Sequence, residues 1–433
     1  MNFLEEALEI LRKKPASFAA EVEKEGAVWK ILRTEHPLPA TNLWEALESF
    51  DCYPKFYWED KTGETRIAAM GKEWEVPDIP HFTQSQLPVR FYGALHFDEQ
   101  QNDPLWQDFF PSHFFLPSYE IIEKKGRALL AVNRLAKRGK KQPHLSCKQN
   151  EKNSSLAILE RGNFPEFPEW EKRVIHSLNA IQEGLLEKIV LARRVSLRCN
   201  EEIHALHAAR LLQKAKQNSY LFLYQKKKDL AFFGASPEKL YKREGSLLSS
   251  EAVAGTRIRG KTAQEDDLLQ KELLNSNKDI REFLHVKKYI ENALSPYCQS
   301  HSHTPGFSIV KTASVQHLYS SFAGVLSTAN SDSKLLASLH PTPATLGVPK
   351  ERARSFLRQY EKESRGLYAA PIGWVSSEGA EFAVGIRSCL IHKKTMHLFS
   401  AAGIVEGSDP ALEWEELESK LQPILTGIFH ADS

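Results

Sequence analysis

The feature that most constrains this chain is a set of apolar, β-branched segments joined by connections too short to hold a crossover helix. Near the carboxyl end three such segments follow one another: 367–375, then 382–391 after Ser377-Glu378-Gly379, then 395–405 after His392-Lys393-Lys394. A parallel pair needs a connection of a dozen residues or more, so strands linked this closely run antiparallel. The pair 220–224 and 230–233 repeats the pattern. Helical spacings intervene, at 165–184, 203–217, 263–274, 278–293, 333–339, 350–365 and from Pro410 onward, without regular strand–helix–strand alternation. The sequence therefore predicts an α+β fold with large, mainly antiparallel β-sheets.

Composition narrows the class. A chain of 433 residues, 42% hydrophobic and 26% charged, can bury a sizeable core. Lys and Arg number 57 against 55 Asp and Glu, so overall charge gives no reason to expect nucleic acid or an acidic membrane as partner. Five scattered cysteines without CxxC spacing oppose a disulfide framework and a zinc site and suit a reducing compartment. The first residues, MNFLEEALEILRKK, are acidic and helix-patterned where a signal peptide is basic and then apolar, and no apolar run approaches membrane-spanning length. The expectation is a cytoplasmic protein.

Residues 1–125 carry no assignable motif, and their aromatics (Trp44, Phe50, Tyr53, Phe56, Tyr57, Trp58) read as packing residues. The stretch 127–155 passes from a strand into a basic, polar loop whose run 137–141 reads as solvated surface. A boundary falls near Phe164, dividing an amino-terminal part, 1–160, from a region 165–433 that holds every chemically suggestive feature. Pro165 and Pro168 lead into a helix that ends at Gly184. Lys188 then enters a strand on the same face as Val190, Ala192 and Arg194; a lysine facing inward there must pair, lose its proton or do chemistry. Pro237 stiffens the corner that carries Glu238, and Ala254-Gly255-Thr256-Arg257 reads as a glycine-centred turn whose amides and arginines suit an anion. A plain hairpin with a basic rim accounts for the same residues equally well. Asp279 and Glu282 share a helix face, as do Glu413, Glu416 and Lys420; a solvated charged face is the ordinary explanation of each. The lone His317 and His340 read as packing residues.

As a set, these pieces resemble the chorismate-utilising enzymes, most closely the isochorismate synthases of the menaquinone and siderophore type. The resemblance rests on KIVLARR at 188–194, FGASPEKL at 233–240, EAVAGTRIRG at 251–260, SNKDIREF at 276–283, VQHL at 315–318, LHPTPA at 339–344, YAAPIGW at 368–374, VGIRS at 384–388 and AAGIVEGSDPALEWEELESK at 401–420, nine pieces in the family's order. It covers about 165–433. It implies the chorismate-binding fold of anthranilate synthase component I, a sandwich of large antiparallel sheets with helices outside.

It also implies roles. Lys188 matches the general base that activates water for attack at C2 of chorismate, and Glu238 the general acid that protonates the departing C4 hydroxyl. An amine of ordinary pKa near 10.4 and a carboxyl near 4.3 are both in the wrong protonation state at neutral pH. Burial would correct both, with Arg194 expected to add like charge beside Lys188. Glu282 and Glu416 match the Mg²⁺ ligands, with Asp279 and Glu413 as outer-shell partners. Gly255, Thr256, His340, Arg387, Ala402, Gly403 and Lys420 match substrate-binding positions, reading chorismate as a dianion.

Two departures stand out: Phe283 where a histidine is common, and Ala401-Ala402 where the family usually has glycine-alanine before Gly403. Amine-adding relatives would have glutamine at 188 or lysine at 254; Lys188 and Ala254 point to water, so no glutamine amidotransferase subunit is expected. Salicylate synthase, which goes on to eliminate pyruvate, shares the acid, base and metal positions and remains an alternative, as does an inactive metabolite-binding homologue. The expected assembly is a monomer or homodimer.

Overall fold

The computed structural model of the chain describes residues 2–100, 103–136, 156–216, 218–311, 315–327 and 332–429. The basic run 137–141 and Cys147 lie outside the described residues. Every strand pairing among those described is antiparallel, as the short connections require.

One continuous ladder runs His81–Ser85, Ser17–Lys24, Ala27–Leu38, Arg127–Leu135, His113–Lys124, Thr65–Val76, Lys55–Glu59, Tyr220–Lys227, Leu230–Ser236, Ser388–His392, Thr395–Ile404, Lys188–Cys199 and Ile158–Phe164. A second branches from His113–Lys124 through Phe91–Ala94, Pro371–Val375, Gly379–Val384, Lys239–Glu244 and Leu247–Ile258 to Val315–Leu326. Strands from the first 135 residues thus interleave with strands from the rest: Leu221 lies opposite Glu59, and Gly373 opposite Gly93.

Three apolar clusters give the layers. The middle one joins inward residues of both ladders, among them Phe56, Trp58, Tyr92, Phe222, Phe232, Ile372 and Leu390. Outside it, the helices Asn2–Lys13, Leu43–Ser49, Ala205–Ala215 and Pro410–Phe429 cover the first ladder. Asn277–Leu294 and Asp332–Leu339 cover the second. This is a sandwich with helices on its outer faces.

Five elements differ from the sequence reading, and three of them shape the site. Gly255 sits in a β-bulge: the register between Leu247–Ile258 and Val315–Leu326 slips between Ala254 and Thr256, and Gly255 has φ +66°. A turn and a glycine bulge both demand positive φ, which is why the sequence alone suggested a turn. The segment 382–391 divides into Gly379–Val384 and Ser388–His392, with Arg387 at φ +51° in the break. The run 367–375 enters the sheet only at Pro371, after Ala369 at φ +61°. The helix expected over 350–365 stops at Tyr360, because Glu361 and Arg365 are committed to a neighbouring strand. A strand absent from the sequence reading, Cys298–His303, pairs with Val315–Leu326. Its alternating Ser and His carry no apolar signal.

Candidate active site

Lys188 is the first residue of its strand, and that strand is pinned from the side. The Arg365 guanidinium donates to the Val190 carbonyl at 2.6 Å and to the Thr345 carbonyl at 2.7 Å. Its partner Glu361 accepts from the Ala192 amide at 2.7 Å. Lys188 is only 3% exposed, and its Nζ donates to Glu282 Oε1 at 2.7 Å. Burial works against the charge of Glu282, but Lys188 overcomes it and holds that carboxyl below the usual range. The space Lys188 occupies exists because residue 403 is glycine: a Cβ there would stand 2.9 Å from Lys188 Cε.

Glu238 follows Pro237 between Leu230–Ser236 and Lys239–Glu244. Its amide donates to Ser236 Oγ at 3.2 Å and its carbonyl accepts from Val384 at 3.1 Å, so the corner is fixed at both ends. Burial pushes the Glu238 carboxyl up to about 7 against the pull of Lys61 and Lys188, with Glu251 adding to the rise. The bulge presents Gly255 and Thr256 on the same cavity. His317 braces it, with Nδ1 3.2 Å from the Gly255 carbonyl and 3.0 Å from Thr256 Oγ1. Burial, with help from Arg387, holds the His317 imidazole down to about 4 and therefore neutral, and its Nε2 is buried without a hydrogen-bond partner.

The opposite rim is cationic. Arg387 donates to the Lys420 carbonyl at 3.0 Å, and Lys420 Nζ lies 2.8 Å from the Ala401 carbonyl and 2.5 Å from Glu416 Oε1. On the two facing helices, Asp279 is paired with Arg257 at 2.8 Å and Glu413 accepts from Ser408 at 2.7 Å. Among the described residues no group of three or more His, Cys, Asp and Glu side chains is poised to hold a metal. The donors at hand are hard carboxylate oxygens, which suit Mg²⁺, an ion that keeps several waters and takes one or two carboxylates with substrate oxygens. The residues present fit that group.

Lys188, Glu238, Gly255, Thr256, Asp279, Glu282, Arg387, Gly403, Glu413, Glu416 and Lys420 all line one cavity of about 290 Å³. Two residues matched to substrate-binding positions do not. His340 is turned against Phe97, ring centres 5.8 Å apart, where burial holds its imidazole down to about 3. Ala402 alternates away from Ala401 and Gly403 into the inner apolar cluster. Arg194 does not adjoin Lys188 either: six residues further along an extended strand is about 20 Å, and its guanidinium lies over the Phe164 ring at 4.6 Å. The charge against Lys188 is the opposite one, Glu282. Phe283 is fully buried in the apolar cluster beneath its helix, with its ring against Phe307, and does not line the cavity. Sequence reasoning missed Tyr368, Thr345 and Lys278 on the cavity wall. Tyr368 was hidden inside an apparent strand, although it belongs to one of the nine matching pieces.

The family described as chorismate binding enzyme matches residues 78–429, most of the chain. The chain belongs to the chorismate-binding enzyme family. Among curated members it is 34% identical over 363 residues to a chloroplastic isochorismate synthase of Catharanthus roseus, covering 79% of this chain and 63% of that protein. The chain thus spans less than two thirds of that relative. It is 31% identical over 413 residues to the isochorismate synthase MenF of Bacillus subtilis, covering 86% of this chain and 88% of that one. Among solved structures, the menaquinone-specific isochorismate synthase MenF of Escherichia coli superposes with a TM-score of 0.84 at 25% identity, covering 99% of both chains. As a chorismate-binding enzyme the chain carries its cavity where the two ladders and the helices Asn277–Leu294 and Pro410–Phe429 meet. No helix among the described residues is long and apolar enough to cross a membrane.

Proposed function

We propose that the chain is an isochorismate synthase, converting chorismate to isochorismate by attack of water at C2 and loss of the C4 hydroxyl. The observation that carries this reading is one cavity with an amine, Lys188, a carboxyl whose pKa burial raises to about 7, Glu238, and a rim of anion-binding groups. The exchange needs a base for the incoming water and an acid for the departing hydroxyl, and each contributes roughly 10² to 10⁴ in rate. Glu238 is the acid: with its pKa raised to about 7, much of it carries the proton the leaving group requires. Lys188 is the base. Its ammonium lies on Glu282, so the reading requires Glu282 to turn its charge to another cation when substrate binds.

Glu282 and Glu416 would hold Mg²⁺, with Asp279 and Glu413 orienting its waters; the ion supplies positive charge for the ring carboxylate of chorismate. The amides of Gly255 and Thr256 receive that carboxylate, and Arg387 and Lys420 receive the carboxylate of the enolpyruvyl arm. In the same reading 1–160 and 165–433 work as one compact unit, since their strands share ladders. Names of relatives support the activity: the proteins reported above are isochorismate synthases. Purified protein incubated with chorismate and Mg²⁺ tests it. Isochorismate as the accumulating product supports the reading, and salicylate with pyruvate replaces it with salicylate synthase.

A further inference from the structure

A second cavity, of about 180 Å³, lies against the segment 341–348, whose Ala344 and Thr345 face the first, but it shares no lining residue with that one. Its walls include His285, Lys288 and Tyr289 of the helix Asn277–Leu294, and Lys350, the first residue of the helix Lys350–Tyr360. His285 is 40% exposed, so solvent reaches the cavity past it. Lys350 is half-buried, and its partners are neutral. Its Nζ donates to the Tyr289 hydroxyl at 2.9 Å and to the His340 carbonyl at 3.0 Å. The Tyr289 hydrogen goes to the Ser338 carbonyl at 2.8 Å, and burial pushes the phenol up to about 12, so its oxygen accepts as an uncharged group. Among the described residues no carboxylate pairs with Lys350: Glu351 beside it takes Arg354 at 3.5 Å. Lys61, Lys188 and Lys216 are also drawn into the protein, and each of them holds a carboxylate, Glu251, Glu282 and Glu59.

A neutral amine has two N–H groups and one lone pair. At Lys350 the two uncharged oxygens take both N–H groups, which leaves the lone pair free at the cavity wall. Burial, with the Arg354 charge one turn along the helix, pushes this amine down to about 8 against the pull of Glu351. Desolvation and a neighbouring cation are what make a lysine nucleophilic near neutral pH. Lys288 on the same wall and Arg354 behind it make the surroundings positive, so the electrophile that suits the site is an anion. We propose that Lys350 is a modification site, an amine that takes the acyl group of a small acyl phosphate held in this cavity beside Lys288. The lone pair attacks the acyl carbon, the bond from that carbon to the phosphate oxygen breaks, phosphate departs with the electron pair, and the surplus proton of the amine passes to phosphate. The space takes a phosphate with a short acyl group and is too small for the nucleotide of an acyl thioester. The amide formed is uncharged and keeps one N–H of the two, so either Tyr289 or the His340 carbonyl loses its donor. Nothing in this step depends on chorismate turnover.

The full chain incubated with acetyl phosphate near neutral pH, with acetylation of each lysine followed by peptide mass spectrometry, tests this. The exposed Lys172 and Lys261 serve as internal references. An amine titrating near 8 is unprotonated in a fraction on the order of 10² larger than one at the ordinary 10.4, and its lower basicity gives back part of that advantage. Lys350 is therefore expected to acetylate at least about tenfold faster than either reference. Inorganic phosphate added as competitor should slow Lys350 and leave the references unchanged. Arg354→Gln should slow Lys350 as well, because losing that charge raises the proton affinity of the amine, and freeing Glu351 acts in the same direction. An uncharged acetyl ester of N-hydroxysuccinimide should show a smaller preference for Lys350 than acetyl phosphate does. These results together support the proposal. Acetylation of Lys350 no faster than the references overturns it, and so does a preference that phosphate leaves intact and the uncharged ester reproduces, since that marks a reactive amine with no anion site beside it.

Discussion

Replacing Glu238 by Gln removes a carboxyl that burial holds near 7, against 4.5 in the unfolded chain. The folded state binds that proton more tightly, so its stability falls as pH rises from about 4.5 through about 7. Glu238→Gln lowers turnover by roughly 10² to 10⁴ and, relative to the parent, gains stability as pH rises through that window, by at most about 3 kcal/mol. Denaturant melts at pH 5 and pH 8 measure it; an advantage that does not grow with pH contradicts the burial argument. Gly403→Ala places a methyl 2.9 Å from Lys188 Cε, and a displaced base is expected to lower kcat by about 10²-fold with little change in KM. The charged residues at 188, 238, 282, 387, 416 and 420 could be singled out in the sequence through the nine pieces that resemble the family, since each alone also reads as an ordinary ion pair or solvated face, and the structure gathers them around one cavity. Their surroundings were less legible. Arg194 shares a strand with Lys188 but stands too far along it to act, and of the charges that bear on Glu238, Lys61 and Lys188 are remote from it in sequence.

The elements aim these residues through local irregularities. The break between Gly379–Val384 and Ser388–His392 puts Arg387 at positive φ and turns it to the cavity, where it also holds the Lys420 carbonyl. Arg387→Lys keeps a charge but loses the fork, so steady-state kinetics should show KM for chorismate rising at least tenfold with a smaller loss in kcat. On the helices Asn277–Leu294 and Pro410–Phe429, Asp279→Asn and Glu413→Gln should raise the half-saturating Mg²⁺ concentration roughly 10- to 100-fold, and Glu282→Gln and Glu416→Gln further still. Magnesium titrations of activity decide this, and unchanged requirements would remove these carboxylates from the metal. The helices were readable because their apolar spacing and caps are local: Ser276 accepts from the Asp279 amide at 3.3 Å, as its position before the helix suggests. The bulge at Gly255 and the break at Arg387 were not. An apolar run looks continuous whether or not the backbone twists within it, and partner strands decide where it does.

At the scale of the molecule, the amino-terminal strands are integral to the sheets. Lys55–Glu59 covers Tyr220–Lys227, and Phe91–Ala94 covers Pro371–Val375. Expressed alone, 165–433 leaves both strands with open edges and exposes the apolar face formed with Phe56, Trp58 and Tyr92, so it should aggregate or lack a cooperative melt. The antiparallel α+β class was legible from short connections, whereas the interleaving of distant segments was not, since pairing between residues over a hundred positions apart leaves no trace in local pattern. The account as a whole is tested most directly by separating the products formed from chorismate and Mg²⁺ chromatographically, with Lys188→Ala and Glu238→Gln as controls. Isochorismate accumulating with the parent and falling at least 10²-fold with either variant is the predicted result; salicylate with pyruvate, or turnover that survives both substitutions, contradicts it.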